Sequence, residues 1–556
     1  MKKCVECVPN FSEGRNRDVI NAITGAMERA GAVVLDVDMG AAAHRTVVTM
    51  AGEPEKVLSA AFEAIRTAAS LIDMSSHHGE HPRMGATDVC PFVPIEGVSM
   101  QECVELARRL GQRVGDELGI PVFLYEEAAT RPERRSLADI RSGEYEALPT
   151  RLANPEWAPD FGPAAFNARS GATVIGAREF LIAYNVNINS RDKVKASRMA
   201  IRMREGAGPA RGSDGEKILG PDGEWFRVPG ALKNIRAVGW TIEEYGVAQV
   251  SINILNYRKT PIHAVYEEAK RQAEAQGVCV TGSEIVGLVP ADCLLAAGRY
   301  YLERQGLCPA APDSELIHIA CRSLGLSDVK VFCPADKVVE YRMKAGTSTL
   351  IDMKVDRFCE EVSADSAVPG GGSVAALAGA LGAGLTAMVG NLSFRRPELE
   401  TVRSEFTEIA LEAQALRARL QSLVVEDSAA FTLVMDAMRM PKTTPEEIAA
   451  RKAAMAAANE RATMVPFETL KLCARASALA ARIVEIGYVN CLSDGGTGAA
   501  MALAGAEGAA MNVLINLSSS KDLPNAAQLR DEAARLLETT RRTTADALEK
   551  VRARLG

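Results

Sequence analysis

Residues 366–394, SAVPGGGSVAALAGALGAGLTAMVGNLSF, contain no charged side chain and lie just after a sharp change in composition. Before about residue 350, runs rich in Val, Ile and Tyr alternate with amphipathic stretches of helical periodicity. After it, runs of β-branched residues almost disappear, and long Ala, Leu, Glu and Arg stretches dominate. The sequence therefore predicts an α+β region followed by an all-helical region.

The uncharged segment is long enough to span a bilayer. It is mostly Ala and Gly, however, it opens with Pro369-Gly370-Gly371-Gly372, and it has few large apolar side chains. Ala and Gly contribute little to membrane insertion, whereas they allow helices to approach each other closely. We therefore expect a tightly packed helix inside a soluble helical bundle, and no membrane partner.

The α+β region divides again near residue 179. Its first part has the order strand, helix, two strands, helix, strand, and a similar order recurs after Phe180. This order predicts two ferredoxin-like α/β sandwich subdomains, with a cleft between them that suits a ligand. The predicted boundaries are 1–179 and 180–335 for the two subdomains, 336–351 for a linker and 352–556 for the helical domain.

Composition narrows the class of protein further. The chain has 556 residues, which favours several domains, and a net charge of -7, which gives no support to a nucleic-acid partner. The first residues, Met-Lys-Lys-Cys, do not form an apolar leader, and the 12 cysteines are scattered, so we expect reduced thiols and a cytoplasmic protein. Cys4 and Cys7 lie on a predicted strand with their thiols on opposite faces, which argues against a redox pair.

Four of the six histidines fall between positions 44 and 81, namely His44, His77, His78 and His81. The last three lie in a polar segment with Gly79 and Pro82, which predicts a loop before a strand from Thr87 to Val93. Three roles are open for this cluster. It could bind a metal, it could fix the loop, or it could transfer protons near neutral pH, which we favour.

Three motifs then show a family resemblance. VECVPNFSEG (5–14), HHGEHPRMGATDVCPFVP (77–94) and EWAPDFGPAAF (156–166) resemble glutamate formiminotransferase. The resemblance implies that His81 is the catalytic histidine and that tetrahydrofolate binds along 162–171 and 230–239. The implied folate-binding residues are Gly162, Pro163, Ala164, Ala165, Phe166 and Gly171 in the first stretch, and Gly230, Lys233, Asn234, Arg236 and Gly239 in the second.

The chemistry of formimino transfer assigns further roles. N5 of tetrahydrofolate attacks the amidine carbon of formiminoglutamate, and His81 would take the proton and later protonate the departing nitrogen. Asn10 and Glu13 could orient the substrate or the histidine. Arg45 and Arg83 could bind its carboxylates in a forked geometry. Lys233 and Arg236 could meet the glutamate tail of a polyglutamylated folate, with a solvated basic strand as the alternative.

The helical half has a different chemistry, because no histidine follows His318. Asp427 lies on a helical stripe with Leu423, Val424 and Phe431, so its carboxyl should have a raised pKa and could act as an acid. Glu426 points about 100° away and should be solvated. A structural carboxylate is the alternative for Asp427.

The helical half resembles formiminotetrahydrofolate cyclodeaminase, and the resemblance also selects Asp427. The whole chain thus resembles the bifunctional formiminotransferase–cyclodeaminases, which implies histidine degradation, one-carbon metabolism, no metal, and a homo-oligomer built from dimers, possibly an octamer. A glycine loop with Gly370, Gly371, Gly372 and Ser373, and a second glycine turn with Asp494, could form walls of this site. Two alternatives stay open: the helical half resembles methenyltetrahydrofolate cyclohydrolase too, and a folate-binding protein without turnover is the rival from another class.

Overall fold

A computed structural model describes residues 3–41, 44–78, 82–206, 208–210, 216–221, 224–242, 245–344, 349–519 and 525–555. The chain forms two compact units. The first comprises residues 1–297 and 320–345, and the second comprises 298–319 and 346–556. The first contains the β-sheets and the second is built from helices, so the predicted α+β region followed by a helical region is confirmed.

The first subdomain is built on a seven-stranded sheet. Its elements are β1 (Cys4–Cys7), β2 (Asn10–Phe11), α1 (Arg17–Arg29), β3 (Val33–Gly40), β4 (Arg45–Gly52), α2 (Pro54–Leu71), β5 (Thr87–Glu96), α3 (Met100–Leu118), β6 (Val122–Glu126), α4 (Leu137–Ile140), α5 (Leu148–Leu152) and β7 (Thr173–Ala177). Strands β3, β4, β1 and β5 are antiparallel neighbours, while β7 adds parallel to β5 and β6 adds parallel to β7.

One face of this sheet carries α1, α2 and α3 and holds the main core of the subdomain. Val5 and Cys7 of β1 point into that core, because alternate residues of a strand face the same side. The Cys7 sulfur lies 3.4 Å from that of Cys90, whereas the Cys4 sulfur lies 3.2 Å from that of Met343. The two thiols of the Cys-x-x-Cys sequence thus lie on opposite faces, as predicted.

The second subdomain repeats the same order of elements. It contains β8 (Ile182–Ile188), α6 (Lys193–Met203), β9 (Gly208–Pro209), β10 (Arg227–Val228), β11 (Ile235–Ile242), β12 (Val247–Ile254), α7 (Ile262–Ala275) and β13 (Val280–Val286). The four long strands form an antiparallel sheet in the order β11-β12-β8-β13, with α6 and α7 packed on it. This strand-helix-strand-strand-helix-strand unit is the ferredoxin-like arrangement that the sequence predicts.

Two segments between the main elements contain regular structure. In the Gly-rich segment 205–230, β9 and β10 pair antiparallel. The predicted linker begins within helices, since α8 (Ala291–Arg304) and α9 (Asp313–Ser323) are followed by α10 (Pro334–Lys337) and α11 (Val339–Lys344). Arg342 of α11 donates a hydrogen bond to the Leu35 carbonyl on β3 at 2.6 Å, so this part of the predicted linker packs on the first sheet.

The second unit is a bundle of long helices. They are α12 (Val355–Ser363), α13 (Gly371–Phe394), α14 (Arg403–Arg439), α15 (Pro445–Ile486), α16 (Leu492–Ser519) and α17 (Ala526–Leu555). Short 3-10 turns precede or join helices in both units, at 74–76, 132–134, 145–147, 155–157, 350–352, 397–402 and 489–491.

Helix α13 lies in the middle of this bundle, against α14, α15 and α16. It and the segment Val489–Ser518 are long and apolar enough to cross a membrane by length and composition. In the bundle, Gly382 of α13 faces Gly498 and Ala502 of α16 at distances that leave no room for a larger side chain. The small residues therefore serve close helix packing, as the sequence predicts.

Candidate active sites

The first candidate site lies where three neighbouring strands of the first sheet meet. Strand β2 pairs with β4 through Asn10 and Val47, and with β5 through Asn10 and Val89. This pairing brings three segments together. They are the segment after β2, which contains Glu13, the residues that lead into β4, and the histidine segment that precedes β5. His81 itself lies outside the described residues, so its role stays a prediction.

His77 and Arg83 fix the part of the histidine segment that is described. Nε2 of His77 lies 3.0 Å from the His44 carbonyl oxygen, and its Nδ1 lies 3.3 Å from Nε of Arg83. Because the guanidinium can only donate, Nδ1 accepts and Nε2 carries the proton. Both ring nitrogens are thus engaged, which gives His77 a structural role and leaves no lone pair for a metal.

Arg83 does not have the free guanidinium that carboxylate binding requires. The side chain is buried, and it donates to Glu144 at 2.9 Å and to Glu146 at 2.7 and 2.9 Å. These carboxylates raise the pKa of Arg83, with the hydrogen bond to Glu146 as the largest cause. In this structure Arg83 ties the segment before β5 to residues 144–146, and its substrate-binding role, which would need these ion pairs to open, stays a prediction.

His44 and Glu13 face each other beside this segment. Nε2 of His44 lies 3.5 Å from Oε1 of Glu13, and both side chains are 15% exposed. Oε1 of Glu13 also accepts hydrogen bonds from the backbone N–H groups of Arg15 at 2.7 Å and Asn16 at 2.9 Å. Burial lowers the pKa of His44, as does the nearby His77, so its imidazole is neutral near pH 7.

The other two predicted substrate-binding residues lie at the same edge. Asn10 is buried, and its amide donates to the Val8 carbonyl at 3.0 Å. The pKa of Arg45 is lowered by burial and by the charge of Arg141, while Asp88 opposes the shift. The structure thus brings Asn10, Glu13 and Arg45 to one edge, where their binding roles stay predictions.

The first predicted folate stretch, residues 162–171, is an exposed loop fixed at both ends. Gly162 and Gly171 have φ values of 79° and 67°, and a Cβ at Gly171 would lie 2.1 Å from the Met84 carbonyl oxygen. Between them, Pro163, Ala164 and Ala165 are exposed, and the Phe166 ring lies 5.4 Å from that of Tyr145. Because Tyr145 also donates its backbone N–H to the Arg83 carbonyl at 2.9 Å, this loop adjoins the histidine segment.

The second predicted stretch, residues 230–239, runs into β11. A Cβ at Gly230 would lie 1.8 Å from the Arg204 carbonyl oxygen, and one at Gly239 would lie 2.1 Å from the Ser197 nitrogen, so both positions require close backbone contact. Asn234 has a φ of 54°. Lys233 and Arg236 are exposed.

Arg236 of this stretch interacts electrostatically with the first subdomain. Its charge acts on Glu126, the last residue of β6. Burial raises the pKa of Glu126, and the charges of Arg178 and Arg236 oppose this rise. The exposed guanidinium of Arg236 is therefore within electrostatic range of the first sheet.

The second candidate site centres on Asp427 of α14, against the first turn of α13. Oδ1 of Asp427 lies so close to Gly372 that a Cβ there would be 2.1 Å away. Ser373 binds the same carboxyl, with its hydroxyl 3.2 Å from Oδ2 and its backbone N–H as a further donor. The predicted glycine loop, Gly370 to Ser373, is thus brought together with Asp427.

Opposing effects act on the Asp427 carboxyl. Burial raises its pKa and is the largest effect, while the hydrogen bonds from Ser373 lower it. The net direction is upward, which is the direction that the apolar stripe predicts. The Ser373 hydroxyl also lies 2.9 Å from the Val424 carbonyl oxygen and 3.1 Å from Oγ of Ser428, so the carboxyl has a fixed polar support on one side.

Glu426, which the sequence predicts to be solvated, belongs instead to an ion-pair network. It accepts from Arg419 and Arg461, and Arg419 also donates to Glu468 on α15 at 2.7 and 2.8 Å. Arg461 lies 35 positions from Glu426, and Glu468 lies 49 positions from Arg419, so helical periodicity alone does not reveal these two contacts.

Asp494 does not join the Asp427 site within this chain. The predicted glycine turn at 490–498 is wrong, because Leu492 to Ser519 is helix α16 and Asp494 lies in its first turn. Gly498 packs against Gly382 of α13, whereas Gly508 packs near Gly371 and Ala375. Asp494 therefore lies roughly 20 Å along α13 from the Asp427 end, at 1.5 Å per helical residue.

Gly372→Ala is expected to abolish the chemistry of the Asp427 site, because a methyl group 2.1 Å from Oδ1 must displace the carboxyl. A loss of about 10²-fold or more in the activity of the helical unit is the expected result. Gly384→Ala on the same helix is the matched control, since its nearest neighbour is the Arg417 Cδ at 3.7 Å. Equal activities of the two variants would show that the close contact has no functional role.

Comparison with known proteins matches these sites to sequence families. Residues 4–178 match the formiminotransferase domain, N-terminal subdomain, residues 183–344 match the formiminotransferase domain, and residues 354–535 match formiminotransferase-cyclodeaminase. A formimidoyltransferase-cyclodeaminase from Rattus norvegicus is 42% identical over 557 residues, covering 100% of both chains. The chain belongs to the formimidoyltransferase-cyclodeaminase family.

Two further relatives each match one part of the chain. A glutamate formimidoyltransferase from Streptococcus pyogenes serotype M1 is 41% identical over 54% of this chain and 94% of its own length. A methenyltetrahydrofolate cyclohydrolase from Methylorubrum extorquens is 34% identical over 30% of this chain and 81% of its own length. The histidine edge and the Asp427 site thus lie in parts of the formimidoyltransferase-cyclodeaminase chain that have separate relatives.

Proposed function

We propose that this chain transfers the formimino group of N-formimino-L-glutamate to N5 of tetrahydrofolate, and then cyclises the product to 5,10-methenyltetrahydrofolate with release of ammonia. The observation that carries the proposal is the Asp427 carboxyl, half-buried at the first turn of α13 in a helical unit whose residues 350–556 contain no histidine. Two different proton carriers, a histidine and an aspartate, would then serve two successive steps.

The first step needs a group that carries protons between the two nitrogen atoms bonded in turn to the formimino carbon. N5 of tetrahydrofolate forms a bond to the formimino carbon and loses its proton, and the bond from that carbon to the glutamate nitrogen then breaks as the nitrogen gains a proton. His81 is proposed as a carrier, because imidazole changes its charge near neutral pH. Glutamate and 5-formiminotetrahydrofolate leave.

The second step needs an acid. N10 forms a bond to the formimino carbon on N5 and loses its proton to the imino nitrogen, which takes a second proton from the acid; the bond from carbon to that nitrogen then breaks and ammonia departs. Ammonia leaves readily only when that nitrogen is protonated, so a carboxyl with a raised pKa suits the task. Asp427 is proposed as this acid, and Ser373 as the residue that holds it.

Tetrahydrofolate is proposed to be the co-substrate in a polyglutamylated form. The exposed cations Lys233 and Arg236 support this proposal, since a glutamate tail is a row of carboxylates. No metal is proposed to take part. Among the described residues, no group of three or more His, Cys, Asp or Glu side chains is arranged to hold a metal ion.

The proposal also places the chain in the cytoplasm, in histidine degradation and one-carbon metabolism, as a lyase as well as a transferase. A homo-oligomer built from dimers is proposed because α13 exposes Val374, Leu381 and Met388, seven residues apart, along one apolar line. Lines of this spacing favour packing against another helix. Analytical ultracentrifugation of the full chain tests this, and a monomer at micromolar concentration would contradict it.

A hydrolytic second half is the alternative function, favoured by the similarity to the cyclohydrolase. The two functions differ in their substrates, since a cyclohydrolase acts on methenyltetrahydrofolate with water, whereas a cyclodeaminase acts on 5-formiminotetrahydrofolate and releases ammonia. Purified protein is therefore given each folate separately. We expect rapid ammonia release from the formimino compound. Hydrolysis of the methenyl compound without ammonia release from the other would favour the cyclohydrolase, and turnover of neither would favour a binding protein.

A further inference from the structure

His44, the residue before β4, is fixed by several contacts of its backbone and side chain. Its carbonyl oxygen accepts from His77, its ring lies 4.3 Å from the His77 ring, and its Nε2 faces the Glu13 carboxylate at 3.5 Å. Its backbone has a φ of 48°, a left-handed conformation that residues with a Cβ seldom adopt. Strained conformations that surrounding contacts maintain are concentrated at functional sites.

The other ring nitrogen of His44 has no partner. Nδ1 is buried and makes no hydrogen bond within the described part of the chain. Because Nε2 faces a carboxylate, Nε2 carries the proton, and Nδ1 presents an unshared electron pair. A buried nitrogen without a partner costs free energy, and such groups call for an explanation such as a catalytic role.

The Glu13 carboxylate is oriented toward this ring by its own backbone contacts. Its Oε1 accepts from two consecutive backbone N–H groups, those of Arg15 and Asn16, which fix the side chain. A fixed carboxylate on one imidazole nitrogen and a lone pair on the other is the arrangement that makes histidine a proton acceptor.

We propose that His44, oriented by Glu13, accepts through Nδ1 the proton that N5 of tetrahydrofolate releases when it attacks the formimino carbon. This inference rests on the proposed function. The nitrogen–carbon bond forms as the proton moves from N5 to His44. The bond to the glutamate nitrogen then breaks, and that nitrogen takes its proton from His81. Exchange with solvent returns the proton from His44 to His81, so each turnover is balanced.

The test uses the full chain with three substitutions. His44→Gln removes the acceptor, Glu13→Gln removes the orienting charge, and His318→Gln changes an exposed histidine that no proposed step uses. The measurement is the release of glutamate from formiminoglutamate in the presence of tetrahydrofolate, between pH 5 and 9. Circular dichroism and thermal melting check that each variant is folded. Ammonia release from supplied 5-formiminotetrahydrofolate shows that the helical unit works.

We expect His44→Gln to lower kcat by about 10²-fold or more, while the KM for formiminoglutamate changes little. The charged groups that act on His44 are Glu13, which raises its pKa, and His77 and Arg15, which lower it. Glu13→Gln should therefore move the acid limb of the kcat/KM profile to lower pH, whereas His318→Gln should leave it unchanged.

Two results would overturn the inference. One is a His44→Gln protein that is folded and within threefold of wild type. The other is a Glu13→Gln protein with an unmoved acid limb, which would also decide the matter if His44→Gln fails to fold. A wild-type chain that releases no glutamate would instead refute the proposed function itself.

Discussion

Asp427→Asn is expected to stop ammonia release from 5-formiminotetrahydrofolate while glutamate release from formiminoglutamate continues. The amide keeps the shape of the side chain and can still accept from Ser373, but it cannot deliver a proton, so kcat should fall by about 10²–10⁴-fold. The measurement is the accumulation of 5-formiminotetrahydrofolate from formiminoglutamate and tetrahydrofolate. Asp436→Asn, an exposed carboxylate two to three turns further along α14, is the control.

The direction of the pKa shift adds a second readout for the same residue. Burial raises the pKa of Asp427, and only the protonated form can act as an acid. The kcat for ammonia release should therefore fall as the pH rises through that raised pKa, and this limb should be missing in Asp427→Asn. A kcat that rises with pH across the same range would indicate that Asp427 works as a base.

His81→Ala is expected to have the reciprocal effect. Glutamate release should fall by about 10²–10⁴-fold, because no imidazole then protonates the departing nitrogen. Ammonia release from supplied 5-formiminotetrahydrofolate should stay near the wild-type rate, since residues 350–556 contain no histidine. His78→Ala is the matched control on the same segment. Loss of both activities in a folded His81→Ala protein would show that the two steps do not have separate sites.

Much of the fold could be predicted because it depends on local periodicity. Helix α3 runs from Met100 to Leu118 because of local signals, since Ser99 and Glu102 form a capping box and Gly119 ends the helix in a left-handed conformation. Strand β12 likewise follows its alternating pattern.

The glycine-rich segment 490–498 shows where local reasoning fails. Adjacent glycines after an aspartate favour a turn, but here Gly495 packs near Val484 and Gly498 near Gly382. Packing against neighbouring helices therefore outweighs the weak helix propensity of glycine. Part of that information lies far away in sequence, since Gly382 precedes Gly498 by 116 residues.

In the candidate sites, too, contacts between residues near in sequence could be predicted and contacts between distant residues could not. The stripe that contains Asp427 is local, so the sequence predicts the buried Leu423 and Val424 and the raised pKa of Asp427, whereas Phe431 is 40% exposed. The partners of Arg83 are not local, since Glu144 and Glu146 follow it by 61 and 63 residues. The ion pairs of Glu426 and the contact between Glu13 and His44 were missed for the same reason, although the acidic motif and the histidine count were visible signals.

The central claim is that one chain converts formiminoglutamate and tetrahydrofolate to methenyltetrahydrofolate in two steps. The most direct measurement mixes the purified chain with both substrates and follows glutamate, ammonia and methenyltetrahydrofolate absorbance together. We expect the three products to form in equal amounts, with 5-formiminotetrahydrofolate as the intermediate. Glutamate without methenyltetrahydrofolate or ammonia, or no product at all, would contradict the account.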